Sequence, residues 1–430
     1  MVSLKVRPRL QTGRAPCIAM YLSGSKWHMT RKRRKRSRPL RVLALLALIG
    51  AGVYLQQVIV PRIPPPFVPT PTPTSNPASF ALQAETHFAA GKLEQAEQSY
   101  EEAIAADPDQ ATFYIALARV QVFAGRPEVA EVTARDALLI DPGSSLAHAV
   151  LGWSLDFLGR LTEAQDEVVR ALEIDPNNAL AHAFYAEILA DQSLYDDAGR
   201  EARRALELAP DLLESQRAMG YVLERITQYE DAAVYYQAAL AINPNLPLLH
   251  VSLGNMYRAQ GDVDAAVESY LRANSLAPTD PDPLTLLAAT YARVGEYGRA
   301  SQWAAEAVRQ APSDPRLHGN LGRMYYHNNE EDLAIPELAL AVQGGVTEDG
   351  IQVIGLPLDP GSSSVVEYYY TYGLALAKEG RCEEAILLFE TLLRGVPDDE
   401  IAQANSIEGM VICGVIEPTP TPRPTATPAP

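Results

Sequence analysis

Seven prolines, Pro108, Pro142, Pro176, Pro210, Pro244, Pro278 and Pro312, recur at a constant spacing of 34 residues. That is the period of a two-helix unit stacked on copies of itself. Counted back from each proline, an alanine stands 12 positions earlier (Ala96, Ala130, Ala164, Ala198, Ala232, Ala266 and Ala300) and another stands 5 positions earlier. Small residues at fixed places let two antiparallel helices lie close together, and Gly152, Gly220, Gly254 and Gly322 do the same on the first helix of the pair. A second row, Gly91, Gly125, Gly159, Gly261 and Gly295, falls where that first helix should stop, since glycine takes the left-handed conformation without steric cost. The prolines then end the second helix. One pair has a single apolar stripe and no closed core, so stability must come from stacking.

The fullest copy reads His250, Leu253, Gly254, Tyr257, Ala266, Tyr270, Ala273 and Pro278, and it resembles the tetratricopeptide repeat. The resemblance covers about residues 77 to 397 and implies an all-α, right-handed superhelical solenoid of about nine helix-turn-helix repeats. Tyr325, Ala334 and Ala341 keep the phase, but Val346 stands where a proline is due; the phase returns at Gly373, Gly380, Ala385, Phe389 and Pro397. Pro312 and Pro397 are 85 residues apart, two periods plus 17, which places an insert at 344–364 between the eighth and ninth units. Its apolar run Ile351 to Leu356, punctuated by Gly350, Gly355 and Pro357, reads as a short strand or hairpin. The solenoid is thus expected over 79–397, followed at 398–416 by a polar-faced capping helix.

Thirteen Lys and Arg and no acidic residue lie in the first 41 residues, and residues 42–60 are then almost wholly apolar. Nineteen helical residues span about 28 Å, close to the hydrocarbon thickness of a bilayer. The basic flank predicts an inside amino terminus, with the repeats outside the cytoplasmic membrane in a periplasmic or extracellular position. A cleaved signal peptide, with Gly50-Ala51-Gly52 as its small-residue site, would export the repeats equally. Residues 1–28 lack periodicity and Met29 precedes the basic cluster, so Met29 is a candidate start. Taking the +13 of residues 1–41 from the total of −17 leaves −30 on the rest, a charge that excludes nucleic acid as a partner of the repeats.

Residues 61–78, rich in Pro and Thr, read as an extended linker, and the tail 417–430 has the same composition. Cys17 falls in the amino-terminal basic segment, which leaves Cys382 and Cys413 with the repeats. They open the second helix of the ninth unit and end the cap helix, so they form either a disulfide or two buried free thiols.

No phosphate-cradling glycine loop, zinc-protease helix or nucleophile elbow occurs, so the chain reads as non-enzymatic and without a cofactor. His148, His182, His250 and His318 share one place in their units and read as packing residues, too far apart for one metal ion. The resemblance implies that first helices line a concave groove. On it the family's inward positions fall at Arg217, Tyr221, Arg225, Asn255, Arg258, Arg293, Arg323 and Tyr326. Arginine suits bidentate carboxylate contact, which points to an acidic or carboxyl-terminal segment of a partner protein. Of the Lys and Asn set with which some family members clamp a terminal carboxylate, only Asn255 is present, and no lysine lies between Lys92 and Lys378. Recognition would therefore use arginine. The other reading of the array is structural, with self-association organising a surface layer.

Overall fold

The computed structural model describes residues 39–59 and 76–417, in two units divided after Pro73. The basic segment before Pro39, Met29, most of the linker and the tail from Pro418 lie outside the described residues. The first unit contributes one helix, α1 (Pro39–Tyr54), which continues into a π-helical turn, Leu55–Ile59. The apolar helix Pro39–Gln57 has 19 residues, long enough to cross a membrane or to serve as a signal sequence.

In the second unit helices follow in antiparallel pairs, one per repeat. They are α2 (Pro77–Ala89) with α3 (Leu93–Ala106), α4 (Ala111–Phe123) with α5 (Pro127–Ile140), α6 (Ser145–Phe157) with α7 (Leu161–Ile174), and α8 (Ala179–Asp191) with α9 (Tyr195–Leu208). The middle pairs are α10 (Leu213–Arg225) with α11 (Tyr229–Ile242), α12 (Pro247–Gln260) with α13 (Val263–Leu276), and α14 (Asp282–Arg293) with α15 (Tyr297–Gln310). The last are α16 (Pro315–His327) with α17 (Glu331–Val342) and α18 (Ser363–Lys378) with α19 (Cys382–Gly395), closed by α20 (Glu400–Ile412). Each second helix packs its alanine rows fully buried, Ala266 and Ala273 on α13 for example. Gly254 shows why the facing residue must be small: a Cβ there would stand 2.6 Å from the Tyr270 ring.

The turn between paired helices needs a left-handed residue, and Gly91, Gly125, Gly159, Gly261 and Gly295 all have φ between 71° and 85°. Where the glycine row is interrupted the backbone does not change. Ser193, Thr227 and Asn329 take φ of 65°, 63° and 58° in its place. The 34-residue geometry overrides the steric preference of a β-branched residue at Thr227.

The insert forms a short hairpin of two-residue strands, β1 (Gly345–Val346) antiparallel to β2 (Gln352–Val353). It is pinned to the solenoid by Leu356 N donating to Ala341 O (2.8 Å) and Tyr369 Oη donating to Leu356 O (2.9 Å). The cap departs from expectation. Asp399 Oδ1 accepts from the N–H groups of Ile401 and Ala402, and α20 packs on α18 and α19, but its outer face is mixed and not wholly polar: Ile401, Ile407 and Ile412 are exposed beside Glu400 and Glu408.

Candidate protein-binding site

First helices α4, α6, α8 and α10 pack side by side, so residues one period apart meet on the inner wall. There the aromatic side chains form a ladder. Phe88 meets Phe123 (centroids 5.6 Å), Phe123 meets Trp153 (5.1 Å), and Trp153 stacks on Phe184 (4.5 Å). Above the indole lies the guanidinium of Arg217, 4.7 Å from the ring, ion-paired to Glu187, which also accepts from Trp153 Nε1 at 3.3 Å. Arg217 is 5% exposed and Glu187 2%; this arginine belongs to the wall's interior and is not an open donor, a correction to its expected role.

The other predicted residues divide by neighbourhood. Tyr221 donates to Asp191 Oδ1 at 2.5 Å, and Arg225 reaches the same carboxylate at 3.5 Å. Arg323 is paired with Glu367, and Tyr326 lies under Lys378, whose Nζ is 4.2 Å from the ring centre. Asn255 accepts from Tyr270 Oη at 2.8 Å. Arg293 donates to the Arg258 carbonyl at 3.0 Å, and among the described residues neither Arg258 nor Arg293 has a carboxylate partner. The basic strip is thereby narrowed from five arginines to these two.

The wall of repeats 3 to 5 instead buries carboxylates. Asp156 Oδ1, Glu187 Oε1 and Glu214 Oε2 are buried without a hydrogen-bond partner. Burial, with Glu187 and Asp191 close by, pushes the Asp156 carboxyl up to about 8 against the pull of Arg217. Burial likewise raises Glu187 to about 7, again opposed by Arg217.

The repeated histidines do more than fill space. The Nε2 atoms of His148, His182, His250 and His318 meet the carbonyls of Pro142, Pro176, Pro244 and Pro312 at 2.9 to 3.3 Å. In three of them Nδ1 also meets a glutamate 19 residues on, Glu167, Glu201 or Glu337, at 2.5 to 2.6 Å. Both partners are acceptors, so only the doubly protonated ring satisfies both. Burial would lower the pKa, yet the bonds to glutamate and proline carbonyl outweigh it and hold His182 and His318 above their ordinary value. His250, with Ser269 in the glutamate's place, is left lowered by burial.

The superhelix also closes on itself. Asn243 Nδ2 donates to Phe88 O (3.2 Å) and Asn245 Nδ2 to Ala89 O (3.0 Å), joining the turn before α12 to the end of α2. Arg119 of α4 pairs with Glu214 of α10 across the same turn. Nothing in the repeat period announces these contacts between residues 95 to 156 apart.

Two-helix units stacked about a concave wall define a helical-repeat interaction protein. Models described as tetratricopeptide repeat match residues 87–153, 150–212 and 285–348, and one described as TPR repeat matches 254–295. The chain belongs to the tetratricopeptide repeat family, and such repeats mark a scaffold for protein–protein interaction. No curated protein matches it. Among solved structures, the APC/C hetero-tetramer Cut9–Hcn1 is similar at 18% identity and a TM-score of 0.51, over 61% of this chain and 52% of that one. This chain therefore spans about half the length of that relative, and the likeness is one of fold. A thermophilic TPR protein of Thermus thermophilus (23% identity, TM-score 0.38) aligns over 42% of this chain and 98% of its own. PilF of Pseudomonas aeruginosa (24%, 0.35) aligns over 47% and 92%.

Proposed function

We propose that the chain is an exported scaffold, anchored in the cytoplasmic membrane by α1 with its repeats outside, that holds an acidic or carboxyl-terminal segment of an envelope protein on the inner wall of repeats 6 and 7. The observation that carries the reading is the pair Arg258 and Arg293, cations without a carboxylate partner among the described residues. Asn255, on the same helix as Arg258, adds a polar contact, and Tyr326 in repeat 8 adds apolar area further along. The anchor reading rests on the apolar length of Pro39–Gln57 and on the basic residues before it. Cys382 and Cys413 stand with Cα atoms 5.5 Å apart, and export would place them where a disulfide forms. Self-association is the second reading, favoured by the exposed Ile401, Ile407 and Ile412 on the cap.

Cross-linking of the full chain in envelope preparations, beside Arg258→Glu/Arg293→Glu, tests this. Arg323 is left alone because a glutamate there would face Glu367. A partner captured by the parent and lost in the variant supports the groove. Equal capture by both rejects it, and recovery of the chain alone favours self-association.

A further inference from the structure

A cavity of about 620 Å³ opens along the seam where the first repeats meet the sixth. Its size falls within the roughly 300–1,000 Å³ of ligand-holding clefts. Both sides of the closure build it: Leu93, Phe123 and Phe157 come from repeats 1 to 3, and Leu248, Val251 and Leu276 from repeat 6. Phe157, at the end of α6, remains 41% exposed although its neighbour on the wall, Trp153, is fully buried. An aromatic ring left open at the mouth of an apolar cleft is the kind of surface that another side chain covers with gain.

The rim adds a sign. Glu94, Asp280 and Asp282 stand there against Lys92, since the other lining cation, Arg126, is held by Glu97. Asp280 Oδ1 accepts from the Asp282 backbone N–H at 3.0 Å, which seats both carboxylates at the start of α14, and neither has a cationic partner among the described residues. Like charges so close are eased by a cation between them.

We propose that this seam cavity is a peptide-binding site separate from the Arg258 and Arg293 strip, and that it takes a partner-protein segment carrying a large apolar side chain beside a lysine or arginine. The apolar side chain covers Phe157 and fills the space between Leu93 and Val251. The cation faces Asp280, Asp282 and Glu94. Because neither wall is complete without the other, a segment that touches both binds only the closed superhelix and holds it closed. The charge preference is opposite to that of the inner strip, so one chain could grip two segments of different character.

The test is fluorescence anisotropy of the purified full chain with three labelled peptides whose central residues are Lys-Leu-Phe-Lys, Glu-Leu-Phe-Glu and Lys-Ser-Ser-Lys. The first should bind; the other two should not. Asp280→Asn/Asp282→Asn should weaken it about fivefold, the loss expected of two partly exposed charge contacts. Arg258→Glu/Arg293→Glu, which destroys the inner strip, should leave it unchanged. Backbone amides of 88–93 should exchange more slowly with the peptide bound, because they lie at the seam. No binding up to about 1 mM peptide, equal binding of the acidic peptide, indifference to the aspartate variant, or unchanged exchange at 88–93 would each overturn the proposal. Circular dichroism matching the parent's shows that the variants are folded.

Discussion

Arg217→Ala removes the cation that, among the described residues, faces Glu187 from within the wall. Both side chains are buried, at 5% and 2% exposure, so neither solvent nor salt softens the loss. Without Arg217 to pull its pKa down, the buried Glu187 carboxyl has only the Trp153 N–H at 3.3 Å to hold a charge at pH 8, and must either stay charged and unpaired or take up a proton. Breaking a buried pair from one side costs about 3–5 kcal/mol. The cation–π contact of the guanidinium over Trp153 is lost with it. Urea unfolding at pH 8, followed by far-ultraviolet circular dichroism, should show a drop of that size. At pH 5 Glu187 and Asp156 are protonated in the folded state and the drop should shrink to the cost of lost packing. Adding Glu187→Gln should restore part of the pH 8 loss, because no charge is then stranded. An Arg217→Ala protein within about 1 kcal/mol of the parent at pH 8, or one equally damaged at both pH values, would refute the reasoning. The parent carries the same sign. Asp156 holds its proton up to about 8 when folded against 3.8 when exposed, so stability should fall as pH rises across that window.

Other outcomes follow from the repeat geometry. His182 and His318 bind a proton more tightly folded than unfolded, so their contribution is complete below their ordinary value of 6.5 and lost as pH rises through the raised values. Glu201→Gln and Glu337→Gln should bring the two imidazole titrations, read by NMR, down to or below that value. Thr227→Gly should stabilise by about 0.5–1 kcal/mol in thermal melts, since it relieves a β-branched residue held at φ 63°; a loss instead would mean that the side chain contributes packing. Reduction of the Cys382–Cys413 pair, 31 residues apart, should cost about 3–4 kcal/mol, localised by hydrogen exchange to α19 and α20.

The phase of the prolines was enough to place the helix pairs, the insert between α17 and α18 and the extra helix after Pro397, because each depends on contacts within one or two periods. The left-handed turns at Ser193, Thr227 and Asn329 were equally open to that register, although glycine alone does not mark them. The inner wall was harder to read. Written at 34-residue intervals, Arg119, Trp153, Glu187, Tyr221 and Asn255 fall on one line, and this line would have signalled the Trp153–Glu187 contact. Arg217 joins it from the neighbouring line, 30 residues from Glu187, so its burial depends on how tightly consecutive first helices are wound. Periodicity leaves that winding undetermined. The Asn243 and Asn245 contacts with α2 depend on it still more, since they require the sum of five small rotations.

Closure of the first repeat on the sixth changes how such a protein comes apart. An open array of stacked repeats frays from its ends, each unit answering only to its neighbour. Here the bonds from Asn243 and Asn245 to Phe88 and Ala89 tie the first repeat to the turn before the sixth, and the Arg119–Glu214 pair ties the second repeat to the fifth. The first six repeats therefore behave as a loop with one free end fewer than a chain, and opening any unit within it strains the rest. Loss of structure should begin at the other end of the array, and the six looped units should melt together as one cooperative block.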